Sequence, residues 1–361
     1  MRLLKMKENK DNTDNKDEKN NIEIAVVGAG MWGTTLAAVL GNKGYIIKLW
    51  VRSREVYDDI KKNNMNCKYT GSNVIHANVI PFLWENKKDS FTNSSVVIFA
   101  VPSHVLRDVI KFFFTELREN CEKIKAVVNV AKGLEIKTNK RLSVVMEETL
   151  PENLRKKIAV LSGPNIAAEI LEGLPSVSVI SSSNKKILEY LQSVFSTEFF
   201  RIYINSDIAG VEIGAAVKNI IAIAAGISDG LGFGSNTKAS LITRGLHELS
   251  RIGAFFGANT QTLFGAAGLG DLITTCISRN SRNRMVGERL AKGESIKDIK
   301  DNMYMVAEGI NTTKSLYTIA KKNNIDLPIT ESVYNIIYEG LQPLQSVKNL
   351  MSRKFKAEAE D

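Results

Sequence analysis

Cysteine and histidine are scarce in this chain, three of each among 361 residues. Cys67, Cys121 and Cys276 stand far apart, no CxxC spacing occurs, and His76, His104 and His247 do not cluster. That pattern argues against a zinc site and against a disulfide framework, so no metal is expected and a reducing, cytoplasmic setting fits best. A dense Lys/Arg stripe with interleaved aromatics is also missing, which removes the usual footprint of a nucleic-acid binder. The opening MRLLKMKENK has no apolar run long enough for a signal peptide, and the closing AEAED carries no lipidation or retention motif. One stretch, Ile208 to Ile227, is long enough to span a bilayer. It contains Glu212, Lys218 and Asn219, so it reads as a buried core helix and no membrane span is expected.

What is present is ordinary for a soluble globular protein: 44% apolar and 24% charged residues. The length favours two domains, each with room for a core. The net charge is +9, of which the first 21 residues, with six basic and five acidic side chains, supply only +1. The remainder reads either as solubility or as attraction for anionic small molecules. Residues 1–21 are Asn, Lys, Asp and Glu almost throughout, and are expected to be a disordered polar tail.

From Ile22 short apolar runs alternate with helical patterns. "IEIAVVGAG", "YIIKLWVR", "SSVVIFAVP", "KAVVNVAKG", "KIAVLSGP", "PSVSVIS" and "FFRIYIN" read as strands. Strands alternating with helices predict an α/β domain, a Rossmann-type parallel sheet covered on both faces. After Asn205 the strand patterns stop, and helices are predicted over 207–226, 236–256, 268–277, 283–292, 308–323 and 330–340. The expected organisation is a dinucleotide-binding domain over 22–205 and an all-α substrate or catalytic domain over 206–361.

"GAGMWG" places Gly28, Gly30 and Gly33 in GxGxxG spacing, with Ala29, Met31 and Trp32 between them. The motif follows the first strand and opens the first helix, the context in which it binds a pyrophosphate at a helix N-terminus. At the tip of the second strand, where an NAD site usually places Asp or Glu, stands Arg52. Arginine there accommodates a 2′-phosphate, which leaves NADP open beside NAD; a solvated arginine is the equal alternative. Lys132 follows the strand "KAVVNVA" directly, and reads evenly as a group reaching a ligand or as a surface lysine.

Lys218 sits inside "GVEIGAAVKNIIAIAAG", an almost wholly apolar helix. A buried, unpaired ammonium costs several kcal/mol unless its pKa falls. Its helix face is built of Gly214, Ala215, Ile221 and Ala222, small enough for close packing or for a ligand, and the lysine favours the ligand. Desolvation would make it a proton donor and acceptor near neutrality. Asp271 follows a glycine-rich turn, as an N-cap or as a partner for a lysine. Arg282 and Asn283 open another helix, as a phosphate site or as a basic surface turn.

These segments resemble one family. "GAGMWGTTLA", "AVPSH", "AKGLE", "SGPNIAAEI", "VEIGAAVKNIIAIAAGISDGLGFG", "SNTKASLITRG", "GAAGLGDLITTC", "SRNR" and "VAEGINTTK" occur in order across residues 22–350, in the manner of the soluble NAD-dependent sn-glycerol-3-phosphate dehydrogenases. The resemblance implies reversible reduction of dihydroxyacetone phosphate to sn-glycerol 3-phosphate by a homodimer, with the site between its two domains. It implies Lys218 as proton donor and acceptor, and Lys132 at substrate and cofactor. Asn219, Asp271 and Thr275 would line the substrate pocket. Ser281, Arg282 and Asn283 would hold the phosphate, with Arg282 also at the cofactor. Gly163, Asn165 and Ala167 would lie along cofactor and substrate, and Glu308 near the cofactor. Asn165 matches the eukaryotic branch, whereas "SRNR" and "VAEG" match the bacterial one. Asp271 would orient one of the lysines; its charge raises a lysine pKa and burial lowers it. Two other readings are a related two-domain β-hydroxyacid dehydrogenase, which has no need of a phosphate clamp, and a non-catalytic NAD(H) sensor, which would bind cofactor without turnover.

Overall fold

The computed structural model describes residues 22–303 and 307–354, and Ala357. The predicted tail, residues 1–21, lies outside the described residues.

The N-terminal domain is an eight-stranded sheet in the order β3-β2-β1-β4-β5-β6-β7-β8. The strands are β1 (Glu23–Val27), β2 (Ile46–Val51), β3 (Val79–Leu83), β4 (Ser94–Phe99), β5 (Ala126–Asn129), β6 (Ile158–Ser162), β7 (Ser176–Ser181) and β8 (Phe200–Asn205). The central strands read as continuous apolar runs because both of their faces are covered. Alternate residues feed two cores. Ile24, Val26, Val96, Ile98 and Val128 pack on one face, and Ala25, Val27, Val97, Phe99 and Val127 on the other.

Two features depart from the sequence reading. β3 is not among the strands read from the sequence; "VIPFL" is short and carries Pro81. It is tolerated because β3 lies at the edge of the sheet, where a missing N–H breaks no second ladder. The sheet is also not wholly parallel: β7 runs antiparallel to β6, and β8 runs parallel to β7. The first six strands therefore share one carboxyl edge, and it is the start of β7 that meets that edge.

The C-terminal domain is helical and is organised around the Ile208–Gly230 helix. This helix is long and apolar enough to cross a membrane, but 83% of its most apolar window is buried inside the protein. Helices surround it, so it is apolar all round rather than on one stripe. Gly226 and Gly287 allow the Arg282–Ala291 helix to cross it at backbone contact: a Cβ on Gly226 would lie 1.9 Å from the Arg284 carbonyl oxygen. The predicted helix over 268–277 is a π turn, Ala266–Gly270, followed by the Asp271–Ile277 helix. The other predicted helices appear as Ser235–Phe255, Arg282–Ala291, Glu308–Asn323 and Pro328–Tyr338.

Candidate active site

The nucleotide loop leaves β1 at Gly28, whose φ of +112° is open to glycine and strained for any other residue. The Met31–Asn42 helix follows with Gly30 as its N-cap and no side-chain cap, so its first N–H groups are left for a ligand. The three glycines have different surroundings. A Cβ on Gly33 would lie 1.9 Å from the Gly28 carbonyl oxygen, and one on Gly28 would lie 2.5 Å from that of Ala100. A Cβ on Gly30 would meet nothing within 4 Å. Gly28 and Gly33 thus need close backbone approach, while Gly30 faces open space beside a helix N-terminus, room that a pyrophosphate would fit. Ala29, Met31 and Trp32 form the rest of the loop, with the Ala29 carbonyl held by the Asn66 amide at 2.9 Å. Arg52 is exposed at the carboxyl end of β2.

Beyond the carboxyl ends of β5 and β6 lies a cluster of charged side chains around a buried carboxylate. Lys132, just past β5, reaches the Gly163 carbonyl at 2.9 Å and Asp271 Oδ2 at 2.7 Å. Lys218, from the core helix, donates to Asp271 Oδ1 at 2.7 Å and to Thr275 Oγ1 at 2.8 Å. Thr275 can do this because its own hydroxyl proton goes to the Asp271 carbonyl, 2.7 Å away. One carboxylate, 1% exposed, therefore bridges an ammonium from each domain. Asp271 stands in the first turn of its helix, but its carboxylate serves the lysines and does not cap. Burial pushes the Lys218 ammonium down to about 8, and the charge of Lys132 adds to that, while Asp271 opposes it. Between burial and the carboxylate, burial wins.

Among the small residues beside Lys218, Gly214 serves close packing, one of the two uses its face allowed in the sequence. A Cβ on Gly214 would lie 2.6 Å from the Ala267 carbonyl oxygen. Gly214 is thus packed against the π turn that delivers Asp271.

The remaining predicted residues hold partners of their own. Asn219 receives a hydrogen bond from the Asn283 amide at 2.8 Å, and Asn283 Oδ1 accepts from the Gly309 N–H at 3.0 Å. Ser281 caps the Arg282–Ala291 helix by accepting from the Arg284 N–H at 3.2 Å. Arg282 is exposed in the first turn of that helix. Asn165 is held by β7: its amide donates to the Val177 carbonyl at 3.1 Å and its oxygen accepts from Ser178 Oγ at 2.8 Å. Ala167 is buried at the start of the short Ala167–Leu171 helix. Glu308 accepts from the Ser103 N–H at 3.0 Å and from its hydroxyl at 2.5 Å. Through Ser103 it joins the helical domain to the loop after β4. Sequence reasoning named neither Ser103 nor Ser178 as a site residue. "AVPSH" was visible as a strand end, but nothing in it marks a partner 205 residues away.

A Gly-rich strand–turn–helix, an open carboxyl edge and two lysines, one from each domain, on a shared buried carboxylate define a two-domain nicotinamide-nucleotide-dependent dehydrogenase. Comparison with known proteins narrows the class. Residues 23–188 match the model of the NAD-dependent glycerol-3-phosphate dehydrogenase N-terminus, and residues 207–348 match that of its C-terminus. A glycerol-3-phosphate dehydrogenase [NAD(P)+] of Thermoanaerobacter sp. is 43% identical over 337 residues, spanning 93% of this chain and 99% of that protein. Its counterpart from Chlorobium limicola is 42% identical over the same shares. The crystal structure of glycerol-3-phosphate dehydrogenase from Coxiella burnetii is 35% identical, with a TM-score of 0.84, and covers 92% of this chain and 99% of that one. The chain belongs to the NAD-dependent glycerol-3-phosphate dehydrogenase family.

Proposed function

We propose that Lys218, Asp271 and Lys132 form the catalytic centre for reversible reduction of dihydroxyacetone phosphate to sn-glycerol 3-phosphate, the family's reaction. The observation that carries this reading is the shared, buried carboxylate: it brings Lys218 and Lys132 to one point beyond the sheet's carboxyl edge.

The loop residues Gly28, Ala29, Gly30, Met31, Trp32 and Gly33 would hold the dinucleotide, with Arg52, Lys132, Ala167, Arg282 and Glu308 along it. The bound nicotinamide supplies the hydride. This chain's residues do the rest. Lys218, titrating near 8, gives a proton to the oxygen of the reduced carbonyl and takes it back in reverse. Lys132 adds positive charge beside that oxygen, where it stabilises developing negative charge. Asp271 holds both lysines in register, and Thr275 fixes the Lys218 ammonium from the other side. Ser281, Arg282 and Asn283, at a helix N-terminus, hold the substrate phosphate. Gly163, Asn165 and Asn219 line the pocket. Binding energy from the phosphate aligns the carbonyl at the other end of the substrate. We expect a homodimer working in the cytoplasm, as the family resemblance implies.

The test is NADH oxidation by purified protein with dihydroxyacetone phosphate, beside dihydroxyacetone and beside NADPH. Turnover that requires the phosphate supports the reaction and the Arg282 clamp, and the two cofactor rates decide what Arg52 accommodates. Equal turnover of dihydroxyacetone contradicts the clamp. Binding of NADH without turnover of either substrate contradicts the enzyme reading and favours a sensor.

A further inference from the structure

We infer that Glu212 is a positioning residue that fixes the Lys132 loop against the helix carrying Lys218, and so sets the spacing of the two lysines around Asp271. The inference rests on the proposed roles of those lysines.

Glu212 stands on the core helix, six residues before Lys218, and is 4% exposed. Its Oε1 accepts from the Ser143 N–H at 2.7 Å. Its Oε2 accepts from Ser143 Oγ at 2.6 Å and from Arg141 Nη1 at 2.7 Å. Ser143 lies in the first turn of the Leu142–Thr149 helix, whose N-cap, Arg141, offers no side-chain cap. Glu212 supplies that cap from the other domain, satisfying an N–H that has no partner within its own helix.

The connection to Lys132 runs through the backbone. Arg141 is joined to Leu134 by an antiparallel bridge, and Leu134 follows Lys132 by two residues. The loop between them is closed by a hydrogen bond from the Glu135 N–H to the Lys140 carbonyl at 3.0 Å. Leu134 is 1% exposed and packs into the helical core with Ile213 and Val217, Glu212's own neighbours on the core helix. The loop over 132–141 thus belongs to the α/β domain by chain and is anchored in the helical domain at two points. Lys132 and Lys218 are linked once through Asp271 and a second time through Leu134, Arg141 and Glu212. A buried ion pair adds little net stability over an apolar pair, so a role in geometry is the better account of this one.

Two full-length variants test the inference, Glu212→Gln and the milder Arg141→Lys. Gln keeps the size and one acceptor, but loses the charge facing Arg141. The readouts are kcat, KM for dihydroxyacetone phosphate, NADH affinity, and titration of the Lys218 ammonium by NMR of isotope-labelled lysine. The expected result is a kcat lower by about tenfold to a hundredfold with NADH affinity falling by much less than kcat, because Lys132 moves while the Gly28–Gly33 loop lies outside the clamp. The Lys218 titration should move upward in both variants, as a loosened loop readmits water to a group held low by burial. Unchanged kcat together with an unchanged Lys218 titration overturns the inference, however far the melting temperature falls. If Glu212→Gln fails to fold, Arg141→Lys decides by the same two readouts. If the wild-type chain does not turn over the substrate, the functional reading falls, and the Lys218 titration still decides whether the clamp positions the lysines.

Discussion

Replacing Asp271 with Asn removes the one carboxylate between two ammonium groups while keeping its shape. Lys218 Nζ and Lys132 Nζ each lie 2.7 Å from an Asp271 oxygen. Taking charge centres about 4 Å apart and an effective dielectric of about 20, each attraction is worth about 4 kcal/mol. That corresponds to about three pH units on the lysine that loses it. Lys218 titrates at about 8 in the native protein. In the variant its pKa should fall toward about 5, as burial and the Lys132 charge go unopposed. Reduction of the ketone needs the ammonium, so its kcat/KM falls as pH rises through the pKa of the free enzyme. The alkaline limb of that profile should move from near 8 to near 5, leaving about one hundredth of the lysine protonated at pH 7. Oxidation of the alcohol needs the neutral amine, so its acid limb should move the same way. Initial rates in both directions across the pH range check this. A reduction limb that stays near 8, or moves upward, refutes the assignment of Asp271 as the compensating charge.

Two further variants separate binding from stability in the nucleotide loop. Gly30→Ala adds a methyl group to open space, so the melting temperature should hold while NADH affinity, read by fluorescence titration, falls by about tenfold or more. Gly33→Ala forces a Cβ to 1.9 Å from a backbone oxygen and should lower the melting temperature itself. Elsewhere, Glu248 is 1% exposed and caps the Pro328–Tyr338 helix through the N–H groups of Ile329 and Thr330 and the Thr330 hydroxyl. Burial pushes its carboxyl up to about 7, above its unfolded value, so its contribution is full at low pH and is lost as pH rises from about 4.5 to about 7. Glu248→Gln removes that ionisation. Denaturant unfolding should show its stability relative to wild type improving by about 3 kcal/mol between acid and alkaline pH. A difference that is flat with pH would show that the carboxyl titrates normally.

What the sequence revealed was mostly local. A GxGxxG between an apolar strand and a helix is contained in a few consecutive residues, and so is an ammonium inside an apolar helix. The helical stretch after Asn205 was legible because its apolar spacing does not depend on partners. β3 was missed because Pro81 makes a poor central strand, and only the sheet order shows that it is an edge. The reversal at β7 was missed because a buried strand reads alike in either direction. Asp271 was visible as a helix-start residue, but its two lysines lie 53 and 139 residues away, and folding alone brings them together. The same holds for Glu212, which read only as a charge unsuited to a membrane. The small face around Lys218 illustrates the limit most clearly. Glycine and alanine signal close approach, but do not say whether the approaching group is a ligand or, as at Gly214, the backbone of a neighbouring turn.

The central claim is that Lys218 is buried for proton transfer. Lys218→Met tests it most directly, since methionine fills the apolar site and Asp271 keeps Lys132 as its partner. Turnover of dihydroxyacetone phosphate should fall by about a hundredfold to ten-thousandfold, with NADH affinity preserved and the limb near 8 gone from the residual rate. A variant that binds NADH and turns over at the wild-type rate would contradict the account.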